Sequence, residues 1–366
     1  MKRRHSLTFA AIITACFALL GCNQESNNTA ASTTVSTPEI FSWKMVTAWP
    51  KNYPALGTSA ERVAERINSM SNGRLTIKVY AGGELVPALE VFDAVSRGTA
   101  QIGHGAAYYW KGKIDTAQFF TSVPFGLSAI EMNAWLHKGD GLKLWEEAYA
   151  PFGVKPFAIG NSGMQMGGWF NKEIHSVDDL KGLKIRMPGL GGEVLSRLGA
   201  TTVNLPGSEV FTALQTNTID ASDWVSPYND LAFGLHKAAK YYYYPGWQEP
   251  QAVLELIINQ TAWDSLPSDL QAIVTEAIRA GNADMLDDFT WNNARALAEL
   301  KDADVQLRRF PDEVLHAMQD ESTQVLNDLA STSDLNQRIW DSMQAFQKQV
   351  TLMHEISEKE LYNWRD

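Results

Sequence analysis

Strand and helix signals alternate along this chain, and that alternation limits its fold more than any other feature. Residues 41–49 read as a first strand, and 59–71 as an amphipathic helix with Thr58 or Ser59 as cap and Gly73 just past its end. Residues 74–81 alternate as a strand, 87–97 read as a helix stopped by Gly98, and 100–107 are strand-like. A βαβαβ order of this kind predicts a mostly parallel sheet with helices on both faces, because each parallel return needs a crossover. The order then repeats, with strands at 184–187, 201–205 and 219–225 and helices at 192–198 and 208–215. An internal echo sets Val91-Phe92-Asp93-Ala94-Val95 and Thr99 against Val210-Phe211-Thr212-Ala213-Leu214 and Thr218. The expectation is an α/β protein of two similar lobes rather than one long sheet.

Two strand-like links join the repeats. Residues 155–159 and 165–170 flank Asn161-Ser162-Gly163, and 251–260 form the second link, as a hinged pair of lobes requires. Beyond Pro267 the pattern is helical to about Asp302, interrupted only by Gly281. Unbroken, that helix is roughly 50 Å long, so it must brace both lobes or leave the body. After Pro311 two more helices carry apolar stripes at Val314, Met318, Val325 and Leu329 and at Phe346, Val350 and Met353. The expected division is lobe I at 41–163 plus about 250–290, lobe II at 164–249 plus about 291–310, and C-terminal helices at 311–366.

The N-terminus sets the compartment. Lys2, Arg3 and Arg4 precede a run from Leu7 to Leu20 that is apolar apart from Thr8 and Thr14, and Gly21-Cys22 closes it. Such a run is too short to span a bilayer and reads as a secretory signal. A small residue before a cysteine at its end resembles the bacterial lipobox, so residues 1–22 are expected to be a lipoprotein signal ending at an acylated Cys22. Of the two cysteines, Cys16 lies inside the removed part, which leaves no disulfide, thiolate metal site or thiol nucleophile in the folded body. Residues 23–40, rich in Asn, Ser, Thr and Ala, read as a disordered tether reaching roughly 60 Å when stretched.

Net charge is −11, and about −14 once the three basic residues of the signal are gone. An acidic chain without a basic cluster is a poor nucleic-acid binder, and any anionic ligand must be held by local positive charge. The signatures of catalysis fail. Gly189-Leu190-Gly191-Gly192 has Val194 where a dinucleotide loop needs its third glycine. The seven histidines show no metal-ligand spacing, and no Gly-x-Ser-x-Gly occurs. Asp178-Asp179 and Asp287-Asp288 read as solvated helix faces. The chain is therefore not read as an enzyme, although a glycosidase needs only two carboxylates from anywhere, and a secreted lipid-anchored hydrolase is the reading from another class.

Four stretches are chemically unusual. Gln165 is the one amide in an apolar and glycine run, and Arg186 ends a short strand at the edge where ligands bind in open α/β sheets. Asp223 and Trp224 end another strand, and Trp247-Gln248-Glu249 forms a further polar and aromatic cluster.

The runs KGLKIRMPG around Arg186, VFTALQTNTIDASDW and LPSDLQAIVTEA resemble the receptor proteins of tripartite ATP-independent periplasmic (TRAP) transporters over essentially the whole body. GMQMGGWF, DWVSPYNDLAFGLHKAAKYYYYPGWQEP and ADMLDDFTWNNARALAEL are similar to the branch that binds 2-oxo acids such as pyruvate. The resemblance implies a periplasmic-binding-protein-like fold of two α/β lobes with a hinge and ligand cleft, a long lobe-spanning helix and a C-terminal helical extension. It implies cleft closure on a small organic anion, docking on membrane subunits driven by a sodium gradient, and a homodimer. Arg186 would pair with the ligand carboxylate, while Gln165, Asp223 and Trp224 meet a metal ion bridging to the ligand, sodium first and calcium second. Asp223 departs from the glutamate of many members. Gln248 is a further candidate metal ligand, and Asn161 and Tyr108, with Tyr109 and Trp49, are candidates for the cleft. An arginine suits carboxylate capture, and amide, carboxylate and carbonyl oxygens suit a hard cation. The plainer readings are an internal ion pair for Arg186 and lobe-to-lobe bonds for Gln165 and Asp223. A hydroxy acid, a dicarboxylate or a sugar acid are the other ligands such a receptor takes.

Overall fold

The computed structural model describes residues 39–365; the expected signal, Cys22 and nearly all of the tether lie outside them. The first run is present as β1 (Phe41–Thr47), α1 (Leu56–Met70), β2 (Leu75–Tyr80), α2 (Val91–Ser96) and β3 (Ile102–Gly105). Two helices that the periodicity did not predict follow, α3 (Ala129–Lys138) and α4 (Gly141–Tyr149), before β4 (Val154–Asn161). The signal for α3 was local: Ser128 and Glu131 form a capping box, each side chain bonding the other's backbone N–H.

The second run comprises β5 (Gly168–Phe170), β6 (Lys184–Arg186), α5 (Gly189–Arg197), β7 (Thr201–Val203), α6 (Gly207–Gln215), β8 (Ala221–Ser222), α7 (Pro227–Phe233) and β9 (Tyr241–Tyr244). The chain returns as β10 (Val253–Asn259) and α8 (Gln260–Asp264). It then runs through α9 (Ser268–Asp302) into β11 (Gln306–Arg309), α10 (Asp312–Ser331), α11 (Asp334–Ile356) and α12 (Glu358–Tyr362).

The strands form two sheets, ordered β2-β1-β3-β10-β4 and β11-β9-β5-β8-β6-β7. All but one strand of each sheet run the same way, as the alternation predicts, and a single reversed strand makes each sheet mixed. β10 runs antiparallel between β3 and β4, and β5 antiparallel between β9 and β8. These two strands arrive directly from the other sheet rather than over a covering helix, so no crossover forces them parallel. β10 also lies buried along all but its last residue, as a central strand covered on both faces does, instead of alternating.

α9 is continuous for 35 residues and passes through Gly281 without a break. The glycine is needed there for close approach, since a Cβ would lie 2.5 Å from Val63 of α1. Buried residues from Leu270 to Met285 set its first half on the first sheet's side. Its second half meets α7, where Tyr228 packs edge-on against Phe289 and its N–H donates to Asn293 at 3.0 Å. Three segments therefore cross between the sheets: residues 162–167, residues 245–252 and α9.

Candidate functional site

The site grows from the end of β6. Ile185 and Arg186 are both buried, and Met187-Pro188 turns the chain into α5. The Arg186 guanidinium, 1% exposed, donates to Asp223 Oδ1 at 2.8 Å, to the Asp223 carbonyl at 3.3 Å and to the Leu205 carbonyl at 3.3 Å. A weaker contact of 3.4 Å reaches the Tyr109 hydroxyl across from the first sheet, and the Trp224 ring lies 5.0 Å away. Burial works against the arginine's charge, but the Asp223 carboxylate beside it more than restores it, so its pKa lies above the ordinary value. Burial pushes Asp223 up to about 6 even with Arg186 pulling the other way. The internal ion pair raised as the plainer reading is thus present. It uses Oδ1 and leaves Asp223 Oδ2 buried without a partner.

β8 ends at Ser222, earlier than the pattern suggested, because Asp223 and Trp224 turn out of the ladder into this site. The two crossovers supply the rest. Gln165 does not lie on a strand; it sits in the first crossover, three residues before β5. Its N–H donates to the Glu249 carbonyl of the second crossover at 3.2 Å, and Gln248 Nε2 donates back to the Met166 carbonyl at 2.8 Å. The two segments touch so closely that a Cβ at Gly246 would stand 2.2 Å from the Gln165 carbonyl. Asn161, at the end of β4, has its amide engaged on both sides, donating to Gln251 at 2.7 Å and accepting from Gly163 N at 2.9 Å. It knits the crossovers together.

Glu249 is the residue that sequence reasoning missed. It is 3% exposed, and burial followed by the nearby Asp223 charge pushes its carboxyl well above the usual range, with Arg186, Tyr108 and Gln165 pulling against them. Its signal was compositional: Glu249 and Glu255 are the only acids between residues 241 and 260, and both are buried. Glu255 serves the first sheet instead, accepting from Trp110 Nε1 and from the Tyr149 hydroxyl.

Four buried acceptor oxygens in this region have no hydrogen-bond donor: Gln165 Oε1, Asp223 Oδ2, Gln248 Oε1 and Glu249 Oε2. Each orphan costs about 1–3 kcal/mol. A set made only of amide and carboxylate oxygens fits a hard cation such as sodium or calcium. No group of three or more His, Cys, Asp or Glu suited to a metal occurs among the described residues, so nitrogen and sulfur ligands are not offered. Beside the oxygens lies a narrow cleft lined by Gln165, Trp224, Tyr108, Tyr109, Trp49 and Ser162, with Leu56, Val225, Ala252 and Leu254 as its apolar wall. The predicted Gln165, Trp224 and Tyr108 thus share one cavity wall, with Arg186 and Asp223 joined to it through Tyr109 and Trp224.

Comparison with known proteins gives a consistent picture. The profile described as bacterial extracellular solute-binding protein, family 7, matches residues 45–333. The chain is 44% identical to a monocarboxylate 2-oxoacid-binding periplasmic protein of Nostoc sp., over 100% of this chain and 99% of that one. A TRAP periplasmic solute-binding protein of Pseudoalteromonas atlantica, solved with bound sodium and pyruvate, is 42% identical with a TM-score of 0.88, over 90% of this chain and 100% of its own. One from Colwellia psychrerythraea, solved with bound calcium and pyruvate, is 42% identical with a TM-score of 0.87, over 89% and 100%.

Proposed function

Because this chain belongs to family 7 of the bacterial extracellular solute-binding proteins, we propose that it is the receptor of a TRAP transporter and captures a small 2-oxo monocarboxylate such as pyruvate between its two sheets. The observation that carries this reading is the set of four unpartnered acceptor oxygens beside the buried Arg186. One Nη2 N–H of the guanidinium is left over for a carboxylate, and the weak bond to Tyr109 can be exchanged for a second. Arg186 and Asp223 already neutralise each other, so a monoanion entering the closed site brings one uncompensated charge. Gln165, Asp223, Gln248 and Glu249 would hold the cation that offsets it, with sodium first and calcium second. When bound, that cation supplies positive charge to the ligand's oxygens. The protein's own part is to orient the carboxylate on Arg186, to exclude water with Tyr108, Tyr109, Trp49 and Trp224, and to close over the apolar end of the ligand. No proton or bond needs to move, and the function is capture and delivery rather than catalysis.

Lobe I would comprise the first sheet and lobe II the second, with the crossovers as hinge and delivery made to the membrane subunits. Anchoring through an acylated Cys22 outside the cytoplasm fits the signal-like start of the chain. A homodimer through the C-terminal helices fits their exposed Leu352, Met353, Ile356, Leu361, Tyr362 and Trp364. Among the described residues no helix is long and apolar enough to cross a membrane. The reading is tested by thermal-shift and calorimetric titration of the purified protein with pyruvate, lactate, succinate and gluconate, each with and without sodium. Sodium-dependent binding of pyruvate above the others is expected. Preference for a hydroxy acid, a dicarboxylate or a sugar acid would replace the ligand class.

A further inference from the structure

The loop leaving β1 makes a contact that ligand binding alone does not explain. Tyr53 is buried on the first sheet's side, yet its hydroxyl is held by residues that follow β8 of the second. It accepts from Trp224 Nε1 at 2.8 Å and donates to the Asn229 carbonyl at 2.7 Å. Asn229 Nδ2 answers by donating to the Pro54 carbonyl at 2.9 Å, and the Tyr53 ring stacks on Phe233 at 4.2 Å. The backbone under this contact is strained. Ala55, fully buried, has φ 56° and ψ −58°, and Leu56 N donates to the Pro54 carbonyl at 2.6 Å. That is a γ-turn of the rare, positive-φ kind, which an alanine keeps only where its surroundings dictate it. The loop's other end is fixed to the first sheet, with the buried His104 ring 3.3 Å from the Leu56 carbonyl.

The tryptophan gripped by Tyr53 is the one whose ring stands over Arg186. We propose that Tyr53 is a positioning residue: its hydroxyl makes both bonds only when the cleft is shut, and so locks Trp224 against Arg186 as the last step of capture. The proposal rests on the solute-receptor reading above. In an open cleft Tyr53, Trp224 Nε1 and the Asn229 carbonyl each bond water, so the relay favours the closed form alone. Strain at Ala55 works the other way. The latch therefore holds only while a ligand adds its own contacts, which lets the receptor reopen at its transporter.

Tyr53→Phe keeps the ring stack and deletes the relay. Stopped-flow fluorescence with pyruvate in sodium buffer should show dissociation about tenfold faster with association unchanged. Melting of the ligand-free protein should stay the same while the pyruvate-induced shift shrinks. An unchanged dissociation rate, or a lower ligand-free melting temperature with an unchanged shift, overturns the proposal and makes the contact merely structural. Residues 39–365 contain no cysteine, so spin labels on cysteines at exposed positions 61 and 209 read closure directly. If the wild type bound no 2-oxo acid, the ligand class would fall, and the latch would be judged by these labels with whichever of lactate, succinate or gluconate binds. A closed fraction equal in wild type and Tyr53→Phe overturns it; a smaller one in the variant supports it.

Discussion

Asp223→Asn changes one oxygen for an amide of nearly the same shape and removes one negative charge from the site. Arg186 and Asp223 both lie at strand ends of the second sheet, so with the cleft open or shut this strips the counter-charge from a guanidinium 2.8 Å away. Breaking a buried pair from one side costs about 3–5 kcal/mol. With an unfolding entropy of roughly 2 cal/mol/K per residue over the folded body, melting should fall by about 4–7 °C. The liganded site behaves differently. With the Glu249 carboxyl, pushed well above the usual range, counted as neutral, Arg186 in the wild type carries one positive charge against Asp223 and the ligand, so a cation is required. In the variant, Arg186 and the ligand carboxylate balance by themselves. Leaving one buried charge unpaired costs roughly 3 kcal/mol, about 150-fold in affinity. Calorimetry with pyruvate at pH 7.5, above the Asp223 pKa of about 6, should therefore show wild-type binding collapsing when chelated choline buffer replaces sodium. Asp223→Asn should bind equally in both buffers. Full sodium dependence in the variant, or none in the wild type, would refute the charge count.

Other expectations follow from single features. Arg186→Ala should weaken ligand binding by about 2–5 kcal/mol with the fold intact by circular dichroism, and Arg186→Lys should recover only part of it, because the planar fork is lost. Burial raises the Glu255 carboxyl from 4.5 to about 7, so its contribution to stability is complete below pH 4.5 and lost as pH rises through 7. The melting temperature should accordingly fall from pH 5 to pH 8, and Glu255→Gln should lessen that slope without abolishing it, since burial also raises Asp230 to about 7 and Asp223 to about 6; a slope unchanged by the substitution would show that Glu255 does not contribute. Sedimentation at micromolar concentration should give a dimer that a chain ending at residue 349 does not form. Cys22→Ala should abolish palmitate labelling and release the protein from the membrane fraction; an unlabelled wild type would remove the anchor.

The sequence carried most of the architecture, because 3.6- and 2-residue periodicities and glycine stops are written locally. It announced α9 to within a residue at its start, and the β6 arginine at the correct edge. What stayed hidden depends on contacts between distant segments. The direction of β10 and β5 is set by which sheet they arrive from, and no periodicity encodes that. Arg186 and Asp223 are 37 residues apart, so an internal ion pair could be raised for Arg186 without its partner being named. Glu249 was passed over beside Gln248 because burial, not residue type, makes a carboxylate part of a site.

A helix running from one sheet to the other without a break has a consequence for how news of capture travels. On the capture reading proposed above, α9 is the one stiff spine that both sheets share, so occupancy would be expressed as an angle between them. An angle is legible far from the ligand. A membrane partner touching only the outer surfaces can tell full from empty without any chemistry in common with the solute. The crossovers proposed to contact the solute would then be free to drift toward other acids, while the spine and the surfaces that report the angle stay as they are. One transporter architecture can in this way serve many cargoes.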